Sequence, residues 1–297
     1  MSQEIPVNLY TVKNTLTVKL TENKRITAES RGAKNDVRHL VFRFEQPYPY
    51  VAGQSAGIIP PGTDAKTGKP NRLRLYSIAS KSAGDTGDCQ TVSLCVVRHF
   101  WSNAQTGEKE IPGVCSNYLC DLKVGDAVQM TGPVGRHFLL PEDFKKRDFI
   151  FVATGTGIAP FRGMLQEMFE RGYEGNASLY FGIPYRDTVL YGDEFRSYQR
   201  YKNFSYHEAI SREDKNPFPS DVPTRDNKMY VQAKMYERRD LLTASLKKAG
   251  SMMYLCGLKG MEEGIFPVLE KLAPALGVDG SVAAKLKAEQ RLKVEVY

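Results

Sequence analysis

The sequence lacks a long hydrophobic run, a disulfide pattern and a metal-binding pattern. In its 297 residues no stretch of about 18 apolar residues occurs, so no membrane-spanning segment is predicted. The amino terminus, MSQEIPVNLYTVKN, lacks the charged and then apolar layout of a signal peptide. Five cysteines without a Cys-x-x-Cys pair exclude a disulfide framework and a zinc site and favour reduced thiols. No metal-ligand cluster and no Ser-His-Asp order is present, so the 4 histidines are predicted to be structural.

Charge is not concentrated in any segment. The net charge is +7; residues 1–146 carry 19 basic and 14 acidic residues, and residues 147–297 carry 22 and 20. Without basic clusters or interleaved aromatics, nucleic-acid binding is not predicted. The positive excess of the first half can attract an acidic protein or an anionic ligand. An apolar share of 41% and this length indicate a globular chain of two domains.

The first half of the chain is predicted to be β-structure. Short runs such as LTVKL, VRHLVFRF, RLRLYSIAS, TVSLCVVRHF and AVQMTGPV alternate with turn-rich stretches such as IPPGTDAKTGKP. Many short strands at irregular intervals indicate an antiparallel barrel or sandwich. One short helix is expected in GVCSNYLCDLKVGD, with Ser116 as its N-cap and an anion site at its start.

From about Asp148 onward, strands and helices alternate. RDFIFVATGTGIAPFRGMLQEMFERG contains an apolar strand, a glycine turn and a helix, and ASLYFGIP, FSYHEAIS and SMMYLCGLKG are further apolar runs. This order predicts βαβ units and a parallel sheet, whose ligands bind beyond the carboxyl ends of the strands. The linker between the two halves is expected in LPEDFKKRD, residues 140–148.

Several residues at these positions have both a binding and a structural interpretation. Gly155 and Gly157 would let a phosphate approach the backbone, or would form only a strand–helix turn. Cys256 would line a ligand pocket or pack in the core, and the terminal Tyr297 would lie on a flat ligand or fray. A further group would hold a phosphomonoester and a base, or form a solvated loop. That group is Ser211, Arg212, Lys228 and Tyr230.

Taken together and in this order, the motifs resemble the plant-type ferredoxin–NADP⁺ reductase family. They are R-L-Y-S, G-V-C-S, G-T-G-I-A-P, S-R-E, K-M-Y, C-G-L-K-G-M-E and the terminal V-E-x-Y, and they cover nearly the whole chain. The resemblance implies an FAD-dependent enzyme that exchanges single electrons with ferredoxin or flavodoxin and a hydride with NADP(H). It also implies an antiparallel FAD-binding β-barrel in residues 1–142 and a doubly wound, parallel-sheet NADP-binding α/β domain in residues 143–297.

The resemblance implies a set of FAD-binding residues. Arg74 would neutralise a phosphate of FAD, Tyr76 would stack on one face of the isoalloxazine, and Ser77 would hydrogen-bond near its N5. The backbone of residues 114–116 would hold the pyrophosphate, and Tyr297 would cover the second flavin face. The complete cofactor-binding set is Arg74, Leu75, Tyr76, Ser77, Cys95, Trp101, Val114, Cys115, Ser116, Thr156 and Tyr297.

The resemblance implies NADP rather than NAD, because the group at 211–230 matches the site for the 2′-phosphate and the adenine. Cys256 would lie beside nicotinamide C4, and Glu295 with Ser77 would carry the proton. The NADP-binding set is Thr156, Ser211, Arg212, Lys228, Tyr230, Gly257, Leu258 and Met261. The catalytic set is Ser77, Cys256, Glu295 and Tyr297.

An acidic electron carrier is the implied partner. Arg72 matches a position that meets ferredoxin in the family, and the patch would extend over Lys69, Leu73, Val134 and Arg136. A monomer in a bacterial cytoplasm is expected, and the plastid stroma is less favoured, because no presequence precedes this start.

The chain departs from the family pattern at three places. Val97 stands where a basic residue commonly helps to hold NADP, so this charge is absent or moved to Arg98. Trp101 replaces a tyrosine that stacks on the FAD adenine, which keeps an aromatic face. An additional stretch at 217–227 could reshape the mouth of the 2′-phosphate pocket.

Three other functions are compatible with parts of the pattern. One is an NADPH-dependent reductase that supplies an oxygenase or another carrier. A second is a flavin-binding redox sensor or scaffold without turnover, against which Ser77, Cys256 and Glu295 argue. A third, an NADH-linked relative of cytochrome b5 reductase, is disfavoured by Ser211, Arg212 and Lys228.

Overall fold

The computed structural model describes residues 4–64 and 67–297. Residues 1–3, in the amino terminus that lacks a signal pattern, and residues 65–66, in one turn-rich stretch, lie outside the described residues. The chain divides into two compact units. The first comprises the chain up to Leu139 together with Arg162–Glu167, and the second comprises Leu140–Phe161 and Met168–Tyr297.

The first unit is built from antiparallel strands and one short helix. Its elements are β1 (Leu16–Arg25), β2 (Val37–Arg43), β3 (Ser55–Ile59), β4 (Arg74–Ser77), β5 (Thr91–Val97), β6 (Phe100–Trp101), β7 (Ile111–Pro112), α1 (Val114–Asp121) and β8 (Ala127–Val134). Six strands form one sheet in the order β4-β3-β8-β1-β2-β5. In β1 buried and exposed residues alternate from Leu16 to Leu20, as expected for a strand with one face on a core.

The two edge strands of this sheet meet each other. Ile78, directly after β4, bridges to Leu94 of β5, and the Ala79 amide donates to the Ser93 carbonyl at 2.7 Å. The sheet therefore closes into a barrel, which removes its unpaired edges. Fully buried side chains such as Phe42 and Ile58 fill the interior.

The second unit alternates strands and helices, as the sequence predicts. Its elements are β9 (Phe149–Thr154), α2 (Ala159–Glu170), β10 (Ala177–Ile183), α3 (Gly192–Tyr198), β11 (Phe204–Ile210), α4 (Val231–Glu237), α5 (Arg239–Lys247), β12 (Met252–Gly257), α6 (Met261–Lys271), α7 (Ala273–Leu276), α8 (Val282–Ala288) and β13 (Leu292–Val296). The middle of α2, Arg162–Glu167, belongs to the first unit. The sheet order is β11-β10-β9-β12-β13, and every neighbouring pair is parallel. β9 and β12 are central strands and are buried along almost their whole length, as expected for a parallel sheet whose two faces are covered by helices.

The direction of chain winding reverses between β9 and β12. The chain runs from β9 outward to β10 and β11, and then returns to β12 on the other side of β9. In open parallel sheets, ligands bind at this reversal, outside the carboxyl ends of the strands. The sequence-based fold class, an antiparallel barrel followed by a doubly wound parallel sheet, is confirmed. Among the helices described, none is long and apolar enough to cross a membrane.

Candidate flavin- and nucleotide-binding sites

The Arg-Leu-Tyr-Ser segment forms β4 on the outer edge of β3. Ser77 pairs with Ser55 and Arg74 pairs with Ile58. Arg74 and Leu75 are exposed, whereas Tyr76 and Ser77 are half-buried. The strand therefore presents a guanidinium to solvent beside a partly covered phenol, an arrangement suited to a ligand that is anionic at one end and aromatic at the other.

Tyr76 and Cys115 come together although 39 positions separate them. Burial raises the pKa of Tyr76, and the adjacent Cys115 raises it further. Burial also raises the pKa of Cys115, against opposing effects of Tyr76 and of the Arg74 charge. Both groups are therefore neutral at physiological pH, and the start of α1 lies next to β4.

The start of α1 differs in one respect from the prediction. The N-cap is Gly113 and not Ser116, whose hydroxyl instead donates to the Gly113 carbonyl at 3.3 Å and accepts from the His99 amide. Ser116 is three positions after Gly113, a distance that its hydroxyl can span back to the cap, so the side chain stabilises the turn. The first N–H groups of a helix have no acceptor within it. With a glycine cap and exposed Val114, the amides of residues 114–116 are suited to an anion such as a pyrophosphate.

An open pocket surrounds Trp101, whose side chain is 42% exposed. The pocket is lined by Lys34, Val97, Arg98, His99, Phe100, Trp101, Ser102 and Glu110. An ion pair of 2.6 Å between Lys34 Nζ and Glu110 Oε1 stands at this pocket. The exposed indole gives the flat apolar face on which an adenine can stack.

Arg98 does not substitute for the charge missing at Val97. Its guanidinium contacts Asp36 Oδ2 at 3.0 Å, Asn117 Oδ1 at 3.2 Å and Asp121 Oδ1 at 2.8 Å. These bonds commit Arg98 to holding α1 against the barrel. Of the two possibilities for the departure at Val97, the structure favours loss of the charge.

The remaining residues expected at FAD or the carrier differ in accessibility. Cys95 is buried within β5, opposite His39 of β2, so its side chain is not exposed to a ligand. Among the partner residues, Lys69, Arg72 and Arg136 are exposed and Leu73 and Val134 are half-buried.

The Gly-Thr-Gly-Ile segment forms a single 3₁₀ turn between β9 and α2, at the reversal of the sheet. Gly155 has φ 54°, a conformation that glycine adopts most readily. At Gly157 a Cβ would lie 2.2 Å from the carbonyl oxygen of Cys256. Glycine at 157 thus lets the loop lie directly on the end of β12, and Thr156 is presented at the carboxyl edge.

Gly157→Ala is expected to lower the free energy of unfolding of the second unit by about 1–3 kcal/mol, because backbone atoms of β12 would have to move. Gly264→Ala is the matched control, since the three atoms nearest to its Cβ all belong to the side chain of Gln232, which can rotate away. Thermal unfolding of both variants measures the difference. Equal transitions would show that the close approach at Gly157 does not constrain the loop.

Cys256 and Glu295 are direct neighbours on β12 and β13. Burial raises the pKa of the Cys256 thiol, and the Glu295 charge raises it further, so the thiol stays protonated. Burial also raises the pKa of Glu295, whose Oε2 is buried without a hydrogen-bond partner among the described residues. The pair offers a neutral, polarizable sulfur beside a carboxyl that keeps its proton to higher pH than a solvated glutamate.

Hydrogen bonds that involve both its backbone and its side chain hold Tyr297 at this edge. Its amide donates to the Gly257 carbonyl at 3.0 Å, and its carbonyl accepts from the Lys259 amide at 2.9 Å. Its hydroxyl lies 2.6 Å from the Thr156 hydroxyl. Tyr297 as a whole residue is 56% exposed, but these bonds hold it across the glycine turn, so it is not frayed.

A second cluster of predicted site residues lies beyond β11, apart from the first cluster around Thr156, Cys256 and Tyr297. It consists of Ser211, Arg212, Lys228 and Tyr230. The Ser211 and Arg212 amides bind the Ile183 and Pro184 carbonyls at 2.9 and 3.0 Å, which fixes this turn to the end of β10. The Arg212 guanidinium lies over the ring of Tyr185, 5.8 Å from its centre. Half-buried Lys228 contacts Asp226 Oδ2 at 2.6 Å, and Tyr230 precedes α4 as its N-cap.

Both clusters lie along one edge of the same sheet. Three strand spacings, about 14–15 Å, separate β11 from β12. An extended dinucleotide can cross this distance with its phosphates at the turn of Thr156, which precedes the helix α2. The edge thus joins a hydroxyl and cations at one end to a thiol, a carboxyl and an aromatic ring at the other.

Some contacts at this edge were not predicted from the sequence. The Thr154 hydroxyl accepts from the Leu258 amide at 3.0 Å, and a Cβ at Gly257 would lie 2.1 Å from that hydroxyl oxygen. The contacts of Asp226 with Lys228 and of Tyr185 with Arg212 are further examples, because no sequence motif links the two residues of either pair.

Comparison with known proteins gives full-length matches. The family described as "Oxidoreductase NAD-binding domain" matches residues 151–266. The chain is 45% identical to a ferredoxin–NADP reductase of Spirulina sp, over 99% of both chains. It is 44% identical to the cyanelle ferredoxin–NADP reductase of Cyanophora paradoxa, over 99% of this chain and 80% of that protein.

A solved structure agrees with these matches. A ferredoxin–NADP⁺ reductase of Plasmodium falciparum superposes with a TM-score of 0.75 at 28% identity, over 98% of this chain and 100% of that one. The structure of that reductase with 2′P-AMP gives a TM-score of 0.73 at 27% identity, over the same shares of the two chains. Identities above 40% over nearly the whole length leave no ambiguity about the family. This chain belongs to the ferredoxin–NADP⁺ reductase family.

Proposed function

We propose that this chain transfers electrons between ferredoxin and NADP(H) through FAD, with the residues described above in defined roles. One observation carries the assignment of roles: the two clusters of site residues lie along a single edge of the parallel sheet. They are Thr156, Cys256, Glu295 and Tyr297 in one cluster, and Ser211, Arg212, Lys228 and Tyr230 in the other. FAD, when bound, supplies the chemistry, because it exchanges electrons singly or in pairs and so couples a one-electron carrier to a nicotinamide.

The first unit has features that fit FAD. Arg74 would pair with a phosphate, the amides of residues 114–116 would bind the pyrophosphate, and Trp101 would stack on the adenine. Tyr76 would stack on the isoalloxazine, since its half-buried ring and raised pKa keep it a neutral aromatic surface. Ser77, at the end of the same strand, would hydrogen-bond the ring system, and Leu75 would cover its edge.

The second unit has features that fit NADP(H). Thr156 and the glycines on either side would contact the pyrophosphate, and Ser211, Arg212 and Lys228 would hold the 2′-phosphate. Tyr230 would stack on the adenine. Gly257, Leu258 and Met261, which follow β12, would line the nicotinamide end.

Cys256, Glu295 and Ser77 would act around the nicotinamide. The neutral thiol of Cys256 would pack against the ring and orient it without attacking it, because burial suppresses the thiolate. The carboxyl of Glu295 would hold a proton at its Oε atoms, and Ser77 would donate or accept through its hydroxyl. Tyr297 would occupy the place of the nicotinamide until the nucleotide displaces it.

The expected docking surface for the carrier consists of Lys69, Arg72, Leu73, Val134 and Arg136. Val134 and Ser77 both pair with Ser55, so Val134 lies level with the carboxyl end of β4, whereas Arg72 precedes its other end. The five residues therefore extend over roughly 20 Å along the sheet, a dimension typical of the footprint of a small protein partner.

Arg72→Glu is expected to lower ferredoxin-dependent turnover at least about tenfold while ferricyanide reduction by NADPH stays unchanged, because only the protein carrier depends on charge complementarity. Lys24→Glu makes the same charge change at an exposed site on β1 and is the control. Steady-state rates with both acceptors test the surface. Equal losses with ferredoxin and ferricyanide would remove Arg72 from it.

We also propose a monomer that works in a reducing compartment such as a bacterial cytoplasm. All five cysteines are free, and four of them are buried, which fits an environment without disulfide formation. Light scattering of the purified protein and fractionation of the source cells test the two statements separately.

A further inference from the structure

The segment inserted before Lys228 forms a closed loop with its own internal bonds. The Asn216 amide donates to the Asn227 carbonyl at 2.9 Å, and the Met229 amide donates to the Asp214 carbonyl at 3.1 Å. Buried Asn216 also donates from Nδ2 to the Val222 carbonyl at 2.6 Å and accepts from the Phe218 amide. The loop therefore holds its end residues, among them Asp226, in a defined position.

Asp226 places a carboxylate among three cations. Its Oδ2 lies 2.6 Å from Lys228 Nζ and 3.9 Å from Arg225 Nε, and its carbonyl oxygen accepts from Lys215 Nζ at 3.4 Å. Lys215 and Lys228 are paired across the antiparallel bridge that closes the loop. The hydrogen bond and charge of Lys228 lower the pKa of Asp226, and Arg225 and Lys215 lower it further.

We propose that Asp226 is an internal anion that competes with the 2′-phosphate of NADP(H) for Lys228 and so sets the affinity for this nucleotide. The inference rests on the proposed role of Lys228, and it concerns a residue of the insertion that the family motifs do not contain.

Charge repulsion prevents Lys228 from binding Asp226 and the 2′-phosphate at the same time. A dianionic phosphate within hydrogen-bond reach of Lys228 Nζ would lie beside the Asp226 carboxylate, and like charges at that distance repel. The side chain of Asp226 is 58% exposed, so it can rotate into solvent without leaving a buried cavity. Its release frees Lys228, with Arg225 and Lys215 adding positive charge nearby.

The backbone conformation of Asp226 allows a substitution that removes the charge without disturbing the loop. Its φ is 54° and its ψ 26°, the left-handed region in which asparagine is tolerated as well as aspartate. Asp226→Asn therefore removes the charge and keeps the loop. Asp221→Asn, at another exposed position of the same loop, is the matched control.

The test is titration of the FAD-loaded proteins with 2′-phospho-AMP and with AMP by calorimetry. Wild-type protein is expected to prefer 2′-phospho-AMP over AMP. Asp226→Asn is expected to bind 2′-phospho-AMP about three- to tenfold more tightly, since an exposed ion pair and a like-charge repulsion are both removed. The affinity of Asp226→Asn for AMP is expected to equal that of the wild type. Asp221→Asn is expected to bind both ligands with wild-type affinity.

The outcomes separate this inference from the proposed function. Unchanged or weaker binding of 2′-phospho-AMP by Asp226→Asn, with the wild type still preferring it over AMP, would overturn the competition and leave the nucleotide site standing. Wild-type and variant proteins that both fail to distinguish 2′-phospho-AMP from AMP would overturn the site and the competition together.

Discussion

Tyr297→Ser is expected to tighten the binding of NADPH by about 10- to 100-fold and to narrow the preference for NADPH over NADH in turnover. In the role proposed for Tyr297, the nucleotide displaces the ring and breaks its bond to Thr156, which spans 2.6 Å. A hydrogen bond and an aromatic contact together cost roughly 1.5–3 kcal/mol, which corresponds to this range of affinity. Equilibrium titration and steady-state kinetics with both nucleotides measure the two effects.

The preference for NADPH over NADH is expected to decrease because different steps limit the turnover of the two nucleotides. NADPH, already held through its 2′-phosphate, would gain affinity and leave more slowly, so its kcat would fall. NADH lacks the phosphate, so removal of the ring would raise its kcat/KM directly. Tyr297→Phe keeps the ring and removes only the hydroxyl, so it should tighten NADPH binding by the hydrogen-bond share alone, roughly 2- to 10-fold, and leave the preference between the two nucleotides nearly unchanged. An unchanged ratio of kcat values for the two nucleotides in Tyr297→Ser would refute the role of the ring.

Asp85→Asn is expected to lower the free energy of unfolding of the first unit by about 3–5 kcal/mol. Asp85 Oδ1 accepts from Arg162 Nη1 at 2.8 Å, and its Oδ2 contacts His39 Nε2 at 3.1 Å and the Ser93 hydroxyl. These side chains are largely shielded from solvent, so replacing the carboxylate with a neutral amide removes the negative charge that Arg162 faces inside the protein. Thermal unfolding followed by circular dichroism gives the change.

Asp88→Asn is the control for Asp85→Asn, because Asp88 lies in the same loop and its ion pair with Arg43 is exposed. Its transition should match that of the wild type within a degree or two. Equal shifts of the two variants would show that the buried network does not stabilise the barrel.

The contribution of Asp85 should depend on pH in one direction. Burial alone would raise its pKa, but hydrogen bonds from His39 and Ser93 and the charge of Arg162 outweigh burial and hold the pKa well below its usual range. The stabilisation is therefore present above the unfolded pKa of about 3.9 and is lost as pH falls through the folded value. The stability difference between wild type and Asp85→Asn should stay constant above about pH 5 and shrink below pH 4.

The elements with a strong local pattern were predictable from the sequence. The apolar run FIFVAT followed by glycines and an amphipathic helix predicted β9, the turn and α2, and all three are present. The strand RLYS and the helix at 114–121 were also expected, although the helix begins at a glycine cap. In each case the residues that decide the structure are neighbours in sequence.

Elements that depend on distant residues were missed. β3 contains Ala56 and Gly57, which do not favour strands on their own. A Cβ at Gly57 would lie 2.2 Å from the Thr131 hydroxyl and 2.7 Å from the Leu73 side chain, so glycine is required there by neighbours that no local pattern reveals. The two-residue strands β6 and β7 were missed because they are too short to show a period.

The residues of the candidate sites also fall into two groups, those that sequence motifs identify and those that only the folded structure identifies. Motif residues such as Thr156, Cys256 and Tyr297 were identified through the family resemblance, and the structure brings them to one edge. Asp226 was not identified, because nothing in the sequence indicates which carboxylate of the inserted loop reaches Lys228. The partners of Asp85 lie at positions 39, 93 and 162, and only the folded chain brings them together.

The most direct test is rapid mixing of the FAD-loaded protein with NADPH and, separately, with NADH, while the flavin absorbance is followed. The account predicts that NADPH bleaches the flavin at least about 100-fold more efficiently than NADH at subsaturating concentration, because charge-assisted contacts to the 2′-phosphate contribute about 3 kcal/mol or more. It also predicts that oxidised ferredoxin restores the absorbance in one-electron steps. A protein that binds no FAD, or one reduced equally well by both nucleotides, would contradict it.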